Sequence, residues 1–311
     1  MAPAKISIVT PCFNEEGNVE ELHRQVAAVF AGLPDYTYEH LFIDNASKDR
    51  TPEILRELAA KDRNVKVILN ARNFGHIRSP FYGLLQATGD AVILLVADLQ
   101  DPPTMIVDFL REWRKGFKVV LGVKTTSEES PLMFFIRKAY YDFVARVSDT
   151  ELTKNNTGFG LYDRVVIEEL RKIGDSYPYF RGLISELGYP ASKIEYRQPS
   201  RKRGVTSNNF YRLYDMAMLG ITSHSKVPLR IATMLGFAMS LFGFGLAILF
   251  LIAKLVFWNE FQLGLAPMLI GIFLFASVQL FFIGILGEYI GAIHTQVLKR
   301  PLVIEKERIG F

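Results

Sequence analysis

Three short polar runs hold the residues best suited to chemistry. Pro11-Cys12-Phe13-Asn14-Glu15-Glu16, Asp44-Asn45-Ala46-Ser47-Lys48-Asp49 and Ala97-Asp98-Leu99-Gln100-Asp101-Pro102-Pro103 each follow an apolar stretch. Asp and Asn cap helices well, so Asp49 or Asp101 taken singly could be structural. As a set the runs ask for more. An acidic edge repels bare phosphate, so a phosphate ligand there needs a divalent cation. Carboxylate and amide oxygens suit Mg²⁺ or Mn²⁺. The single cysteine, Cys12, excludes a disulfide framework and a multi-cysteine zinc site.

The elements around these runs alternate. Ile6 to Val9, Leu41 to Ile43, Val65 to Leu69, Ala91 to Val96 and Val119 to Leu121 read as short apolar strands. Between them Val19, Leu22, Val26 and Val29 recur at helical spacing, as do Ile54, Leu55 and Leu58, and then Ile106, Phe109, Leu110 and Trp113. Thr51-Pro52 and Pro102-Pro103-Thr104 mark helix starts. Strand and helix in alternation predict an α/β fold, a mostly parallel sheet with helices on both faces. Ligands of such sheets sit beyond the carboxyl ends of the strands, where all three polar runs fall.

The chain has 311 residues, half of them apolar, which excludes intrinsic disorder. Mean hydropathy is +0.17, high for a soluble enzyme. The formal charge of +4 suits a membrane surface and does not argue for nucleic acid. The last third explains the hydropathy. Ile231 to Ala253 and Phe261 to Gly287 contain no charged residue. At 1.5 Å per residue the first run alone reaches about 35 Å, enough for a hydrocarbon core of about 30 Å. Lys254 to Glu260 is the only link, so the two runs predict a transmembrane hairpin. Lys226, Arg230, Lys299, Arg300, Lys306 and Arg308 flank it and place both termini in the cytoplasm, with Trp258 and Tyr289 as interfacial aromatics. No secretory signal precedes the first strand.

Organisation follows from these shifts. Residues 1–125 are the ligand-binding core, 126–229 an acceptor-side segment, 230–289 the hairpin and 290–311 a cytoplasmic tail. In the second segment Leu132, Phe135, Ile136, Ala139, Phe143 and Val147 form a stripe flanked by Arg137, Lys138 and Arg146. That stripe suits either a helix lying in the headgroup region or packing against the sheet. Residues 208–229, rich in Phe, Tyr, Leu and Met, read as interfacial.

The runs Pro11 to Glu15, Asp44 to Thr51, Asn73-Phe74-Gly75 and Ala97 to Pro103 resemble the motifs of the inverting family 2 glycosyltransferases of the GT-A fold. With the two apolar runs, the whole chain resembles the polyprenyl-phosphate glycosyltransferases. That group includes dolichol-phosphate mannose synthase and bacterial enzymes that load glucose or aminoarabinose onto undecaprenyl phosphate. The resemblance implies a Rossmann-like GT-A sheet, interfacial helices and a two-helix membrane hairpin. Pro11, Phe13 and Glu15 would line the base and ribose of a nucleotide sugar, with Asp44 and Asn45 beside the base and Asn73 and Gly75 also on the donor side. Asp98 and Gln100 would hold Mg²⁺ or Mn²⁺ on the diphosphate. Arg201, Lys202, Arg203 and Thr206 would meet the acceptor phosphate, where arginine acts as a fork and lysine as a point charge, and Arg201 would be catalytic alongside Asp98 and Asp101. A solvated charge run is the alternative for that triplet. Asp101 reads as a catalytic base behind the metal, a metal-side ligand or a helix N-cap. Asn155 to Tyr162 resembles the acceptor-side segment.

The chain departs from the family pattern at Val96, Asn45 and Ser207, where Asp, Asp and Lys are usual. The expected reaction is transfer of a sugar, with inversion, from a nucleoside diphosphate, UDP above all, to a polyprenyl monophosphate at the cytoplasmic leaflet of the inner membrane. That acceptor is mostly dianionic at neutral pH and is already a nucleophile. Transfer to another lipid or glycan hydroxyl, and a catalytically weak nucleotide-sugar-binding module, are the alternatives. Relatives form homo-oligomers, which makes a tetramer an open expectation; no heptad stripe speaks for one.

Overall fold

The apolar residues Ile6, Ile8 and Val9 are fully buried in β1 (Ala4–Cys12), at the centre of an eight-stranded sheet. The structure, a computed structural model, describes residues 3–125, 156–199, 218, 219, 222, 225–257 and 265–311. After β1 come α1 (Val19–Ala31), β2 (Tyr36–Asp44), α2 (Thr51–Lys61), β3 (Val65–Asn70), α3 (Gly75–Gln86), β4 (Ala91–Leu94), α4 (Met105–Arg114) and β5 (Val119–Lys124). β6 (Asn156–Asp163), α5 (Arg164–Ile173), α6 (Phe180–Glu186) and β7 (Ala191–Tyr196) complete the first part. Two long helices, α7 (Val227–Val256) and α8 (Leu265–Val297), precede a last strand, β8 (Glu305–Ile309).

Strand order is β7-β5-β6-β4-β1-β2-β3-β8. β1 pairs in parallel with β2 and β4, β2 with β3, and β5 with β7. β6 runs antiparallel between β4 and β5, and β8 antiparallel to β3. The expected mostly parallel α/β sheet is therefore present, with β7 and β8 added at its two ends and β6 inserted between β4 and β5, three strands that the alternation did not announce. Chain order reverses between β1 and β4, the kind of switch point where such sheets bind ligands.

Apolar stripes cover both faces. Val19, Leu22 and Val26 of α1, Leu55 of α2 and Ile106 and Phe109 of α4 pack on Ile6, Ile8, Phe42 and Ile93. Phe81 and Leu84 of α3, with Val166, Ile167 and Leu170 of α5, pack on Val9, Leu41, Ile43 and Val92. α1 starts without a side-chain cap, whereas α5 is capped by Asp163, which accepts from Val165 N.

Two polar clusters lie inside the sheet domain, away from the polar runs. Glu39 accepts from Ser7 Oγ at 2.5 Å and Thr88 N at 2.8 Å and pairs with Lys5 at 2.6 Å and Lys66 at 2.9 Å. Burial alone would raise its carboxyl, but these partners bring it down to about 2. His40, fully buried, meets Thr10 Oγ1 through Nε2 at 2.9 Å and His23 Nδ1 at 3.2 Å, and His23 in turn meets Asp62. Burial lowers the pKa of both imidazoles.

α7 and α8 are long and apolar enough to cross a membrane, and none of their hydrophobic windows is buried in the protein. Phe237, Leu241, Phe273 and Phe281 are exposed. α8 continues past its charge-free run to Val297 and docks on the sheet domain. Gln296 Nε2 donates to Asp175 Oδ1 at 2.5 Å, and Ser176 Oγ donates to Gln296 Oε1 at 3.0 Å. Tyr289, expected as an interfacial aromatic, is buried within the protein, its hydroxyl donating to the Ser225 carbonyl at 2.6 Å. Residues 290–311, read from sequence as a tail, supply the end of α8 and then β8. The stripe from Leu132 to Val147 and most of 208–224 lie outside the described residues.

Candidate active site

The sheet topology brings one end of every strand near the switch point to a common edge. The carboxyl ends of β1 to β5 and β7, and the amino ends of β6 and β8, share it. Cys12, Asp44, Asn70, Lys124, Asn156, Tyr196 and Glu305 therefore stand at one side of the molecule, with the Asp98 turn following β4. Each of the three polar runs also contains one non-glycine residue with left-handed backbone: Asn14 at φ 57°, Ala46 at 61° and Leu99 at 58°. For Ala and Leu that conformation costs on the order of 1–2 kcal/mol, and such strain gathers at functional sites.

The first two runs are stitched together. Asn14 N donates to Ser47 Oγ at 2.8 Å, and Lys48 N to Asn14 Oδ1 at 2.8 Å. Glu15 N donates to Thr51 Oγ1 at 2.9 Å, Glu16 N to Asp49 Oδ2 at 3.2 Å, and Arg50 N to Glu16 Oε2 at 2.9 Å. Asp49 also accepts from Thr51 N and Oγ1, so it serves the loop and the start of α2. Asp44 is buried at the end of β2 and accepts from the Ser47 amide and hydroxyl. Burial raises its pKa, as it does that of the neighbouring Cys12 thiol. Phe13 is 39% exposed, an aromatic face held open beside the half-buried Pro11 and Glu15. Glu15 Oε2 accepts from Asn18 Nδ2 at 2.6 Å.

Asn45 does not point out of the sheet edge. It is buried, and its amide makes four hydrogen bonds. Nδ2 donates to Asn73 Oδ1 at 3.0 Å and to the Gly75 carbonyl at 3.1 Å; Oδ1 accepts from Phe74 N at 2.8 Å and Asn70 Nδ2 at 3.2 Å. The backbone partners fix which end is oxygen and which nitrogen. A carboxylate has no donor for the carbonyl and Asn73 Oδ1, so the departure at this position has a physical reason. Asn73 Oδ1 also accepts from Gly75 N at 2.8 Å. Asn45, expected beside the base, thus shapes the Asn73–Gly75 turn at the start of α3.

On the other side of the switch point, Asp98 Oδ1 accepts from Gln100 N at 3.1 Å, and both side chains are half-buried. Asp101 is buried and turned away, its Oδ1 accepting from Tyr196 Oη at 2.5 Å. α4 begins only at Met105 with Thr104 at the cap position, so the N-cap reading of Asp101 fails. Burial pushes the Asp101 carboxyl up to about 6, with Tyr196 and Lys124 opposing and Asp98 adding to the rise. Burial and the adjacent carboxylate raise the Tyr196 phenol. Asn156 and Gly158 open β6 beside this turn: Gly158, at φ 96°, donates its N–H to Asn156 Oδ1 at 2.7 Å, and Arg181 reaches the Asn156 carbonyl at 3.1 Å.

Among the described residues no group of three or more His, Cys, Asp or Glu side chains is arranged to hold a metal. A Mg²⁺-type ion that shares phosphate oxygens needs only one or two carboxylates from the protein. Asp98, half-exposed in a strained turn with the Gln100 amide two residues on, fits that demand. Arg201, Lys202, Arg203, Thr206 and Ser207 lie outside the described residues. Sequence reasoning missed Tyr196 and Asn70. Each acts through a partner far along the chain, and neither sits in a motif.

An open sheet with an acid- and amide-lined edge at its switch point is the architecture of a GT-A nucleotide-sugar enzyme. Residues 7–171 match the family model described as glycosyl transferase family 2, and the chain belongs to that family. It is 34% identical to the uncharacterized glycosyltransferase YkcC of Bacillus subtilis, over 98% of this chain and 94% of that one. It is also 34% identical to the SfII prophage-derived bactoprenol glucosyl transferase of Shigella flexneri, over 97% of this chain and 98% of the relative. A similar solved structure is glucosyl-3-phosphoglycerate synthase from Mycobacterium tuberculosis in complex with Mn²⁺, UDP and phosphoglyceric acid. It is 19% identical, with a TM-score of 0.47 over 71% of this chain and 77% of that one.

Proposed function

We propose that this glycosyltransferase moves a sugar from a nucleoside diphosphate, UDP above all, to a polyprenyl monophosphate, inverting the anomeric carbon. One observation carries the reading. The chain leaving the two apolar helices returns to the same sheet edge that holds the Asp98 turn and the Asn45 cluster, with Ala71 N bonded to the Ile304 carbonyl at 2.8 Å. A site built that way faces both a water-soluble donor and a lipid headgroup. The full-length likeness to a bactoprenol glucosyl transferase supports the acceptor class.

Phe13 and Pro11 offer the base an apolar face, and the Asp44–Ser47 loop offers it polar partners. Asp98 and Gln100 would hold Mg²⁺ or Mn²⁺, which when bound supplies positive charge to the leaving diphosphate. Arg201, Lys202, Arg203 and Thr206 would take the acceptor phosphate and offset repulsion between two anionic substrates. The phosphate oxygen attacks the anomeric carbon as the bond to the nucleoside diphosphate breaks. A dianionic phosphate needs no proton removed, so positioning is the main task left to the protein. The pairing of β3 with β8, between which α7 and α8 lie in the chain, supports a hairpin with both ends on one side of the bilayer. The flanking Lys and Arg favour the cytoplasm for that side.

The test is incubation of the detergent-solubilised protein with labelled UDP-, GDP- and TDP-sugars, undecaprenyl phosphate and Mn²⁺. A lipid-extractable product labile to mild acid is expected. Label that appears only in acid-stable lipid, or never in lipid, would refute the acceptor assignment.

A further inference from the structure

β8 grips both elements that flank the donor-side turn 71–74. On one flank it pairs with β3, Arg308 opposite Ile68, Glu307 opposite Leu69 and Glu305 opposite Asn70. On the other it holds α3: Tyr82 Oη donates to Glu305 Oε1 at 2.9 Å, and Arg308 Nη2 donates to Gln86 Oε1 at 2.8 Å. Just before β8, the Ile304 carbonyl takes the N–H of Ala71, the first residue of the turn. Arg56 of α2 adds an ion pair with Glu307 at 2.6 Å. The end of the segment is seated tightly. Gly310 stands at φ 80°, and a Cβ there would lie 2.6 Å from the Val65 carbonyl.

The turn so clamped is the one the Asn45 amide organises. Asn70, the last residue of β3, donates both to Asn45 Oδ1 and to Ser79 Oγ of α3, at 3.2 and 3.0 Å. The two ends of the turn are therefore tied by one amide from within and by one strand from outside. The other end of that outer strand leads to the foot of α8, docked through Gln296 on Asp175 and Ser176.

We infer that residues 301–309 are a positioning element of the donor site, holding the Asn73–Gly75 turn ready for the nucleotide and joining it to the membrane hairpin. The inference rests on the donor reading given above. A turn fixed at both flanks loses little freedom on binding, so its release costs donor affinity first.

The test uses the detergent-solubilised full chain, a form lacking residues 301–311, and Tyr82→Phe. UDP affinity in the presence of Mn²⁺ is measured by calorimetry, with donor and acceptor KM measured in parallel. Loss of the segment should weaken UDP binding and raise donor KM by about tenfold, with acceptor KM within about twofold. Tyr82→Phe should raise donor KM by about two- to threefold. A synthetic peptide of residues 301–311 should restore UDP binding to the shortened chain by adding back the strand. Unchanged donor KM in the shortened chain, or equal losses for donor and acceptor without peptide rescue, overturns the inference. Should the shortened chain fail to fold, unchanged donor KM in Tyr82→Phe overturns it. A full chain that binds no UDP refutes the donor reading itself, a separate outcome.

Discussion

The two sides of the switch point differ in how closely they are fastened. Between β1 and β3 the loops are fastened to one another: the Asn45 amide, the Ser47 and Thr51 hydroxyls and the carboxylates of Glu16, Asp44 and Asp49 all bond to neighbouring loop groups. Beyond β4, Asp98 stays half-exposed with the Gln100 N–H on its Oδ1, and Asp101 is buried under a hydrogen bond from the distant Tyr196. The β1–β3 side is ordered by its own hydrogen bonds. On the function proposed above, the Asp98 side keeps its negative charge for a cation. The amide of Asn45, bonded on every side, tolerates no change of hydrogen-bond polarity.

That contrast can be broken in order of effect. Asp98→Asn should lower transfer by about a thousandfold while leaving fold and UDP-independent stability intact, as measured by turnover beside circular dichroism. Asn45→Asp should do the reverse in kind. It places an acceptor against two acceptors, costs about 3 kcal/mol in denaturant unfolding and raises donor KM more than it lowers kcat. A variant as stable as the parent would show that the amide network is not the fastening described. Tyr196→Phe removes a hydrogen bond that holds the Asp101 carboxyl down. Asp101 ionises as pH rises through about 6, so the acidic limb of the pH–rate profile should fall there. The Asp101 part of it should move to higher pH in Tyr196→Phe and drop out in Asp101→Asn, leaving the limb of the acceptor phosphate, whose second ionisation also falls at about 6; a profile unchanged in both variants detaches Asp101 from turnover.

The smallest effect on activity belongs to Glu39→Gln, remote from the site. The Glu39 carboxyl lies near 2 in the folded chain against 4.5 as its ordinary value. The unfolded chain therefore takes up the proton first as pH falls, and stability is lost between about 4.5 and about 2. His23 and His40, held neutral, add a loss that begins below 6.5, where the unfolded imidazoles gain protons. Glu39→Gln should lower stability at neutral pH, shrink the acid-dependent part seen in denaturant titrations at several pH values and leave kcat unchanged.

Much of this was legible in residue order, and the gaps have physical causes. The apolar runs at Ile6, Leu41, Val65, Ala91 and Val119 became β1 to β5, and the stripes on α1, α2 and α4 are the buried ones, because burial on one face imposes a period. The motif loops fell at the carboxyl edge because parallel strands must end together. β8 escaped notice: Glu305-Lys306-Glu307-Arg308 has the charges of an edge strand and none of the apolar content of an inner one. The Tyr196–Asp101 bond joins positions 95 apart, and pairings of that range leave no local mark. Asn45 looked like a ligand contact because Asn and Asp at a strand end serve equally well as either contact or brace. Only the partners distinguish them.

The place of β8 in chain order also sets a sequence of events during synthesis. It follows both apolar helices, so the outer flank of β3 stays uncovered while the ribosome is still delivering α7 and α8. The edge at β3 and the brace on the 71–74 turn are therefore the last parts of the sheet that synthesis can complete.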